Sequence, residues 1–453
     1  MRATFKKIDL SIVLLVGLTV SIAVTNFFWL SMNQRPPVDD EAGHLVSALK
    51  YLHVLGSPER NWVWLSVLDH FYPPLFPFLT ALAAYWTGIK GVLPFVMGNV
   101  FFMALTFFSL YGIGHKLGDR KIGLLASCLI SLYPMFFHMS RMFMLEIPLV
   151  GMVSLTMLLL LYTKGFSRTL WSFGAGIAMG LGLLTKQLFP VFLPGPLLYF
   201  FLNAGGGVVR HSLKRKGLNL CLFLATGILI ALPWYWRDGA VKFNQLATMV
   251  TQPIVAGPLE FPLISVPSLT FYLKTLAQDQ MGWFFCSAFV FFLILNFRKM
   301  LALPFLLIWF TVPYVILTLL PNKFYYYTLP CLPAAALITA WGLLSLKHLV
   351  VRRGLIAFVL VWGAFHYGVL SFMSPQIHSR VLHGARYSPI QKDYHVRTLI
   401  RRITEESPVL RPTVGAFTID PNVFFAQTGV HLGENYVLSN LITLNTVASL
   451  ESK

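Results

Sequence analysis

Residues 9–45 read DLSIVLLVGLTVSIAVTNFFWLSMNQRPPVDDEAGHL. An apolar run over 9–31 ends in three consecutive acids, Asp39, Asp40 and Glu41, in a chain with only 17 Asp and Glu among 453 residues. A membrane-crossing helix needs about 20 predominantly apolar residues, and this run supplies them. The acids then stand where that helix emerges into water. Upstream, MRATFKK is basic, and the apolar stretch continues through Phe27, Phe28, Trp29 and Leu30 with no small-residue cleavage site, so it reads as an uncleaved anchor.

Hydrophobic residues make up 56% of the sequence and charged residues 11%, with mean hydropathy +0.69. Soluble domains carry about a quarter charged residues, so the composition is that of an integral membrane protein. The net charge of +18 falls in short gaps between apolar runs. Basic residues so placed are topology signals and lipid-headgroup contacts, and they argue against nucleic-acid binding. Cys128, Cys221, Cys286 and Cys331 each lie inside an apolar run without CxxC spacing and read as buried free thiols.

The spacing predicts an all-α polytopic protein with about eleven membrane helices, at 9–31, 92–114, 122–139, 146–163, 169–184, 188–203, 218–236, 283–297, 301–320, 327–346 and 354–373. If these alternate, Arg2 to Lys7, Arg120-Lys121, Lys164 with Arg168, the RHSLKRKG cluster from Arg210, Arg298-Lys299 and KHLVVRRG from Lys347 share one side. The positive-inside rule makes that side, with the N-terminus, cytoplasmic. The acid cluster, Arg141, Glu146, the stretch from Trp234 to Asp238 and Asn322-Lys323 then face outward. Residues 75–89 are apolar but short and begin at Pro73-Pro74, so they are expected as an interfacial or re-entrant helix. A first external loop of about 32–90 would carry that helix and another over 41–55, with Leu45, Leu49 and Leu52 on one face. Residues 1–373 form the membrane domain; 374–453 are an external tail, expected as a small or truncated α/β domain.

The outward-facing side holds the chemistry. A carboxylate at the membrane surface can take a proton from an attacking hydroxyl or amine, and Asp39, Asp40 and Glu41 are candidates, although one of them is expected to cap a helix. Glu146, in SRMFMLEIPL, is costly at its depth unless paired, and Arg141 is its expected partner. His70 and Tyr72 are expected near the acids, and His44, three residues after Glu41, could serve as a second base. Glu41 and His44 are the residues that could take a divalent metal; none is required. Lys186, Arg237 and Lys323 are cations on the side where the positive-inside rule disfavours them, which suits a phosphate. Tyr325, Tyr326 and Tyr327 could add hydrogen bonds.

The order of these pieces resembles the GT-C polytopic glycosyltransferases of the protein O-mannosyltransferase and aminoarabinose-transferase superfamily. Matching landmarks are Asp40-Glu41 after the first span, Tyr72-Pro73-Pro74-Leu75, Glu146 before Ile147-Pro148-Leu149, Thr185-Lys186, Leu232-Pro233-Trp234 and Tyr327-Thr328-Leu329-Pro330, which together cover most of residues 1–345. The chain departs from the pattern at Glu146, where many relatives have Asp, at Tyr72, where some have Lys, and at His44, where an aromatic is common.

The resemblance implies sugar transfer from a polyprenyl-phosphate donor to a lipid, glycan or protein acceptor on the non-cytoplasmic face of a membrane, and the build suits a bacterial inner membrane. It implies Asp40 as the base and Glu146 as the second external acid. Lys186, Arg237, Lys323 and Tyr327 would hold the donor phosphate, and Asp39, His44, His70, Tyr72 and Arg141 would line the acceptor or sugar. A transporter or flippase of a lipid-linked sugar is the alternative. It predicts charged or broken helices near the bilayer midplane, whereas the charges here gather around the first loop. A non-catalytic subunit is a third reading, and it predicts no effect from altering Asp40.

Overall fold

The computed structural model describes residues 9–33, 37, 40–57, 72–89, 92–202, 210–237, 239, 242–244, 247, 264–301, 304–373 and 388–389. Every regular element among them is helical. In chain order these are α1 (Leu10–Met32), α2 (Asp40–Gly56), α3 (Leu75–Thr87), α4 (Leu93–Leu117), α5 (Arg120–Ser131), α6 (Pro134–Met139), α7 (Glu146–Thr163), α8 (Thr169–Leu183), α9 (Pro194–Leu202), α10 (Arg210–Trp236), α11 (Val266–Thr275), α12 (Gly282–Leu295), α13 (Phe297–Met300), α14 (Pro304–Thr318), α15 (Leu332–Leu344) and α16 (Leu349–Phe372). The tail over 374–453 lies outside the described residues apart from 388–389.

A helix falls on each of the eleven expected runs, but fewer are full-length spans. Five helices among the described residues (α1, α4, α7, the Leu213–Trp236 part of α10, and α16) are long and apolar enough to cross a membrane. A sixth would be the pair Val266–Gln280 and Gly282–Leu295, bent by 117°. Proline accounts for two of the breaks. The 122–139 run breaks before Pro134, and the 188–203 run splits into a 3-10 turn, Phe189–Phe192, and α9, which begins at Pro194. Proline lacks the amide proton a continuous helix requires.

The described residues fall into two compact units. The larger is drawn from within Met1–Thr25, Asn99–Ser140 and Leu145–Ser388. Apolar attraction between helices is weak in lipid, so close backbone approach has to hold them. A Cβ on Gly176 would lie 2.6 Å from the Phe223 carbonyl oxygen, and one on Gly180 would lie 2.9 Å from that of Gly227. Glycine at i and i+4 on α8 therefore lets α10 settle against it. At the centre, α15 is buried on nearly every side through Ala334, Ala335, Ala336, Leu337, Ile338 and Ala340. Such an all-round apolar helix belongs in the interior.

The smaller unit is drawn from within Asn26–Gly98, Arg141–Met144 and Pro389–Lys453. Here α2 packs on α3, with Tyr51, Leu55 and Ala81 as a buried core and Leu52, Phe78 and Leu82 against it. The expected helix over 41–55 is therefore present, and Leu45 and Leu49 are buried on it. Helix α3 starts after Pro73-Pro74 and stops at Gly88, whose left-handed φ of +64° lets its amide donate to the Ala84 carbonyl at 3.0 Å.

Candidate active site

The first cluster is in the smaller unit, at the start of α2. Asp40 is exposed in its first turn, where the positive end of the helix dipole favours an acid. The Tyr72 hydroxyl donates to Asp40 Oδ1 at 3.1 Å. The Tyr72 ring stands edge-on to the buried His44 imidazole, with centroids 4.0 Å apart. Gly43 makes room for that ring, since a Cβ there would lie 3.3 Å from Tyr72 Cε2. Tyr72 and His70 were the residues expected near the acids; Tyr72 bonds Asp40, and His44 packs against its ring. Glu41 is drawn elsewhere, its Oε1 accepting the Phe143 backbone N–H at 3.0 Å. Phe143 is buried, stacked on Phe76 at 4.7 Å and edge-on to Phe95 at 5.9 Å.

Arg141 also belongs to this unit. It is buried, donates through Nε to Asn26 Oδ1 at 3.1 Å and lies 5.3 Å from the centre of the Trp29 ring. The sequence expectation gave Arg141 to Glu146; within its own unit Arg141 bonds Asn26. Asn26 went unread in the sequence. A lone carboxamide inside the apolar run of the first span is the signal that could have found it.

The second cluster is in the larger unit. Glu146 opens α7, again at a helix N-terminus, and forms an ion pair with Lys186. The Glu146 side chain is 2% exposed and the Lys186 side chain 18%. Lys186 Nζ also lies 5.2 Å from the centre of the Tyr326 ring and 5.6 Å from that of Tyr327. Aromatic faces attract a cation, and burial strengthens that attraction. Glu146 Oε2 is buried and has no hydrogen-bond partner among the described residues. It can accept a hydroxyl from a bound molecule.

Lys323 and Arg237 sit differently. Lys323 Nζ donates to the carbonyls of Leu317, Thr318 and Leu320, which engages all three of its N–H groups at the C-terminal end of α14. Burial pushes its pKa down. It caps this helix end, where the sequence expectation had it on a phosphate. Arg237 follows the end of α10, and its carbonyl accepts from Lys242 Nζ at 2.8 Å. Lys242 lies 3.8 Å from the centre of the Trp234 ring and caps the same helix end. Asp39 and His70 lie outside the described residues. Among those described, no group of three or more His, Cys, Asp and Glu side chains could hold a metal ion. Glu41 and His44 therefore find no third ligand there.

No curated protein matches the chain by sequence. Residues 71–236 match the family described as dolichyl-phosphate-mannose-protein mannosyltransferase. Among solved structures, ArnT from Cupriavidus metallidurans bound to undecaprenyl phosphate superposes with TM-score 0.55 at 16% identity, covering 97% of this chain and 76% of that one. The apo state of the same protein gives 0.54 at 15% identity, with the same coverage. The archaeal oligosaccharyltransferase AglB from Archaeoglobus fulgidus, in complex with an inhibitory peptide and a dolichol-phosphate, gives 0.56 at 12% identity over 87% of this chain and 58% of that one. At such identities a structural likeness speaks to fold alone. The chain therefore shares the fold of ArnT and of AglB, and over residues 71–236 it is similar to the dolichyl-phosphate-mannose-protein mannosyltransferase family.

Proposed function

We propose that this protein transfers a sugar from a polyprenyl-phosphate donor to a lipid, glycan or protein acceptor on the non-cytoplasmic face of a bacterial inner membrane. The observation that carries this reading is Lys186, a mostly buried ammonium that faces the rings of Tyr326 and Tyr327 and is balanced by Glu146. A structural ion pair alone does not call for two aromatic faces and an unused carboxylate oxygen. A phosphate arriving there meets a cation already partly desolvated and held in place by Glu146. The same ligand class occupies two of the structural neighbours, one holding undecaprenyl phosphate and the other a dolichol-phosphate.

In the proposed reaction Asp40 takes the proton of the acceptor's attacking group. The Tyr72 hydroxyl orients its carboxylate through Oδ1. The acceptor oxygen or nitrogen forms a bond to the sugar C1 as the C1–O bond to phosphate breaks. The electron pair leaves on the polyprenyl phosphate, whose charge Lys186 offsets, with Tyr327 and Arg237 as further donor contacts. Glu146 Oε2 accepts a sugar hydroxyl. His44 and Arg141 hold the shape of the acceptor side through Tyr72 and Asn26 respectively. Asp39 and His70 are further acceptor-side residues of this proposal. No step passes through a metal. The basic gaps between helices support a cytoplasmic N-terminus with these groups outside.

The test is sugar transfer by purified full-length protein in detergent, with a panel of radiolabelled polyprenyl-phosphate sugars, comparing wild type, Asp40→Asn and Lys186→Met. Wild type is expected to consume one donor and release the lipid phosphate, and both variants to lose at least about 100-fold in turnover. Near-normal turnover in Asp40→Asn would remove it as the base. Donor binding without consumption by wild type would turn the reading toward transport.

A further inference from the structure

The bend between α11 and α12 is made by a π-turn, Leu276–Gln280, in which the Met281 amide reaches back to the Leu276 carbonyl at 2.9 Å. It is completed by Gly282 at φ +73°, a conformation other residues rarely adopt. One extra residue in a helical turn re-aims the side chains that follow, and such turns are frequent at functional sites. Here the last residue of the turn is Gln280, which is fully buried.

The Gln280 carboxamide has three partners. Its Nε2 donates to the Tyr325 carbonyl at 2.6 Å and to Thr328 Oγ1 at 2.7 Å, and its Oε1 accepts from the Tyr314 hydroxyl at 3.3 Å. The orientation is fixed by chemistry, because a backbone carbonyl can only accept and so must face the amide nitrogen. The two donated bonds fall on the residue before and the residue after Tyr326-Tyr327. Those are the two rings that face Lys186. The segment beyond is pinned independently, the Trp309 Nε1–H donating to the Pro330 carbonyl at 3.1 Å.

We infer that Gln280 is a positioning residue of the donor-phosphate site: it clamps the chain on both sides of Tyr326-Tyr327 and so holds the two rings over Lys186. The inference rests on the reading of Lys186 as the phosphate-binding cation. A buried carboxamide could have satisfied its donors anywhere on the neighbouring helices. Bracketing this one dipeptide couples the bent helix to the cation through the aromatic faces. Gln280 touches neither Lys186 nor a substrate, so its effect has to run through the two tyrosines.

The experiment measures binding of undecaprenyl phosphate to the purified full-length protein in detergent. Gln280→Met, which keeps the length of the side chain and removes its hydrogen bonds, is expected to weaken binding about ten-fold. In a Tyr326→Leu/Tyr327→Leu background the same change is expected to add less than about two-fold, because the groups it positions are gone. A general packing defect would add its full effect in both backgrounds, and that outcome overturns the inference. Unchanged binding in Gln280→Met overturns it as well. Should Gln280→Met fail to fold, Thr328→Val removes one of the two donated bonds and is expected to give a smaller loss under the same cycle. Lys186→Met separates the two levels of the argument. If it binds as wild type does, the phosphate reading fails and the inference falls with it. If it alone loses binding while Gln280→Met does not, only the inference fails.

Discussion

The Glu146–Lys186 pair sets a sharp expectation for stability. Removing one partner of a buried ion pair leaves an uncompensated charge and costs about 3–5 kcal/mol. The two sides are not equivalent here, since the Glu146 side chain is 2% exposed and that of Lys186 is 18% exposed with two rings beside it. Lys186→Met strands the carboxylate in the more buried position, and its cost is expected near the lower bound, about 3 kcal/mol. Glu146→Gln leaves a cation that still has its aromatic faces and partial access to water, so about 1–2 kcal/mol is expected. The double variant Glu146→Gln/Lys186→Met strands neither charge and should sit above Lys186→Met despite carrying one more substitution. The assay is thermal unfolding of all four proteins in one detergent, and the order expected is wild type highest and Lys186→Met lowest. Strict additivity, with the double variant lowest by the sum of the single losses, would refute the coupling. Activity should not follow stability, because the double variant lacks the cation and stays as inactive as Lys186→Met.

Three further outcomes follow from contacts in each unit. Gly43→Ala puts a methyl 3.3 Å from Tyr72 Cε2 and 3.4 Å from its hydroxyl, so the ring must shift by a few tenths of an ångström; turnover should fall about ten-fold as the bond to Asp40 loosens, while the melting temperature stays near that of wild type, and unchanged turnover would dismiss the Tyr72–Asp40 contact as incidental. Gly176→Ala places a Cβ 2.6 Å from the backbone oxygen of Phe223, which cannot rotate away, so a loss of about 1–3 kcal/mol is expected in thermal unfolding; an unperturbed melt would mean that α8 and α10 are not in close contact. At the start of α1, the backbone N–H of Ser11, the Tyr111 hydroxyl and Arg120 hold the Asp9 carboxyl below its ordinary value of 3.8. A depressed folded-state pKa gives stability that is complete above the unfolded value and is lost as pH falls through the folded one. The melting curves of wild type and Asp9→Asn, followed down from about pH 6, should therefore converge in acid, and parallel curves would show that Asp9 does not contribute.

The helices were legible because lipid imposes a crude rule, a long apolar run closed by charge, and each predicted run carries a helix. The breaks were not legible to the same degree. Pro134 and Pro194 are visible in the sequence, but whether a proline kinks a span or ends it depends on what satisfies the freed carbonyls. Helix α11 escaped because Lys274 and the Gln278-Asp279-Gln280 stretch interrupt the apolar pattern around it; in the structure a π-turn takes up that stretch and Gln280 bonds Tyr325, Thr328 and Tyr314. Contacts among the candidate residues were legible where local sequence brings them together. Asp40 and Tyr72 meet because both lie at helix starts in the smaller unit, after Pro-Pro or beside it. Partners distant in sequence were read poorly. Glu146 finds Lys186 across 40 residues and Arg141 finds Asn26 across 115. Lys323, expected at a ligand phosphate, donates to three carbonyls of its own neighbourhood.

Two carboxylates in contrasting surroundings suggest a division of labour that one pair of substitutions can expose. Asp40 is exposed and accepts the Tyr72 hydroxyl, so it can reach a mobile acceptor. Glu146 is buried against a fixed cation. A base must stand at the right distance from the proton it removes, and lengthening it misplaces the oxygen in the transition state. Asp40→Glu is therefore expected to lower kcat about 100-fold with little change in donor KM. Glu146→Asp draws the carboxylate back from Lys186 by one methylene and loosens the cation that receives the phosphate. Its expected signature is the reverse, a donor KM raised about ten-fold with kcat nearly kept. Steady-state kinetics on the two variants, with the lipid-linked donor varied, reads both parameters at once. If the two changes gave the same split between kcat and KM, the carboxylates would share one role, and the assignment of base to Asp40 and counter-charge to Glu146 would have to be abandoned.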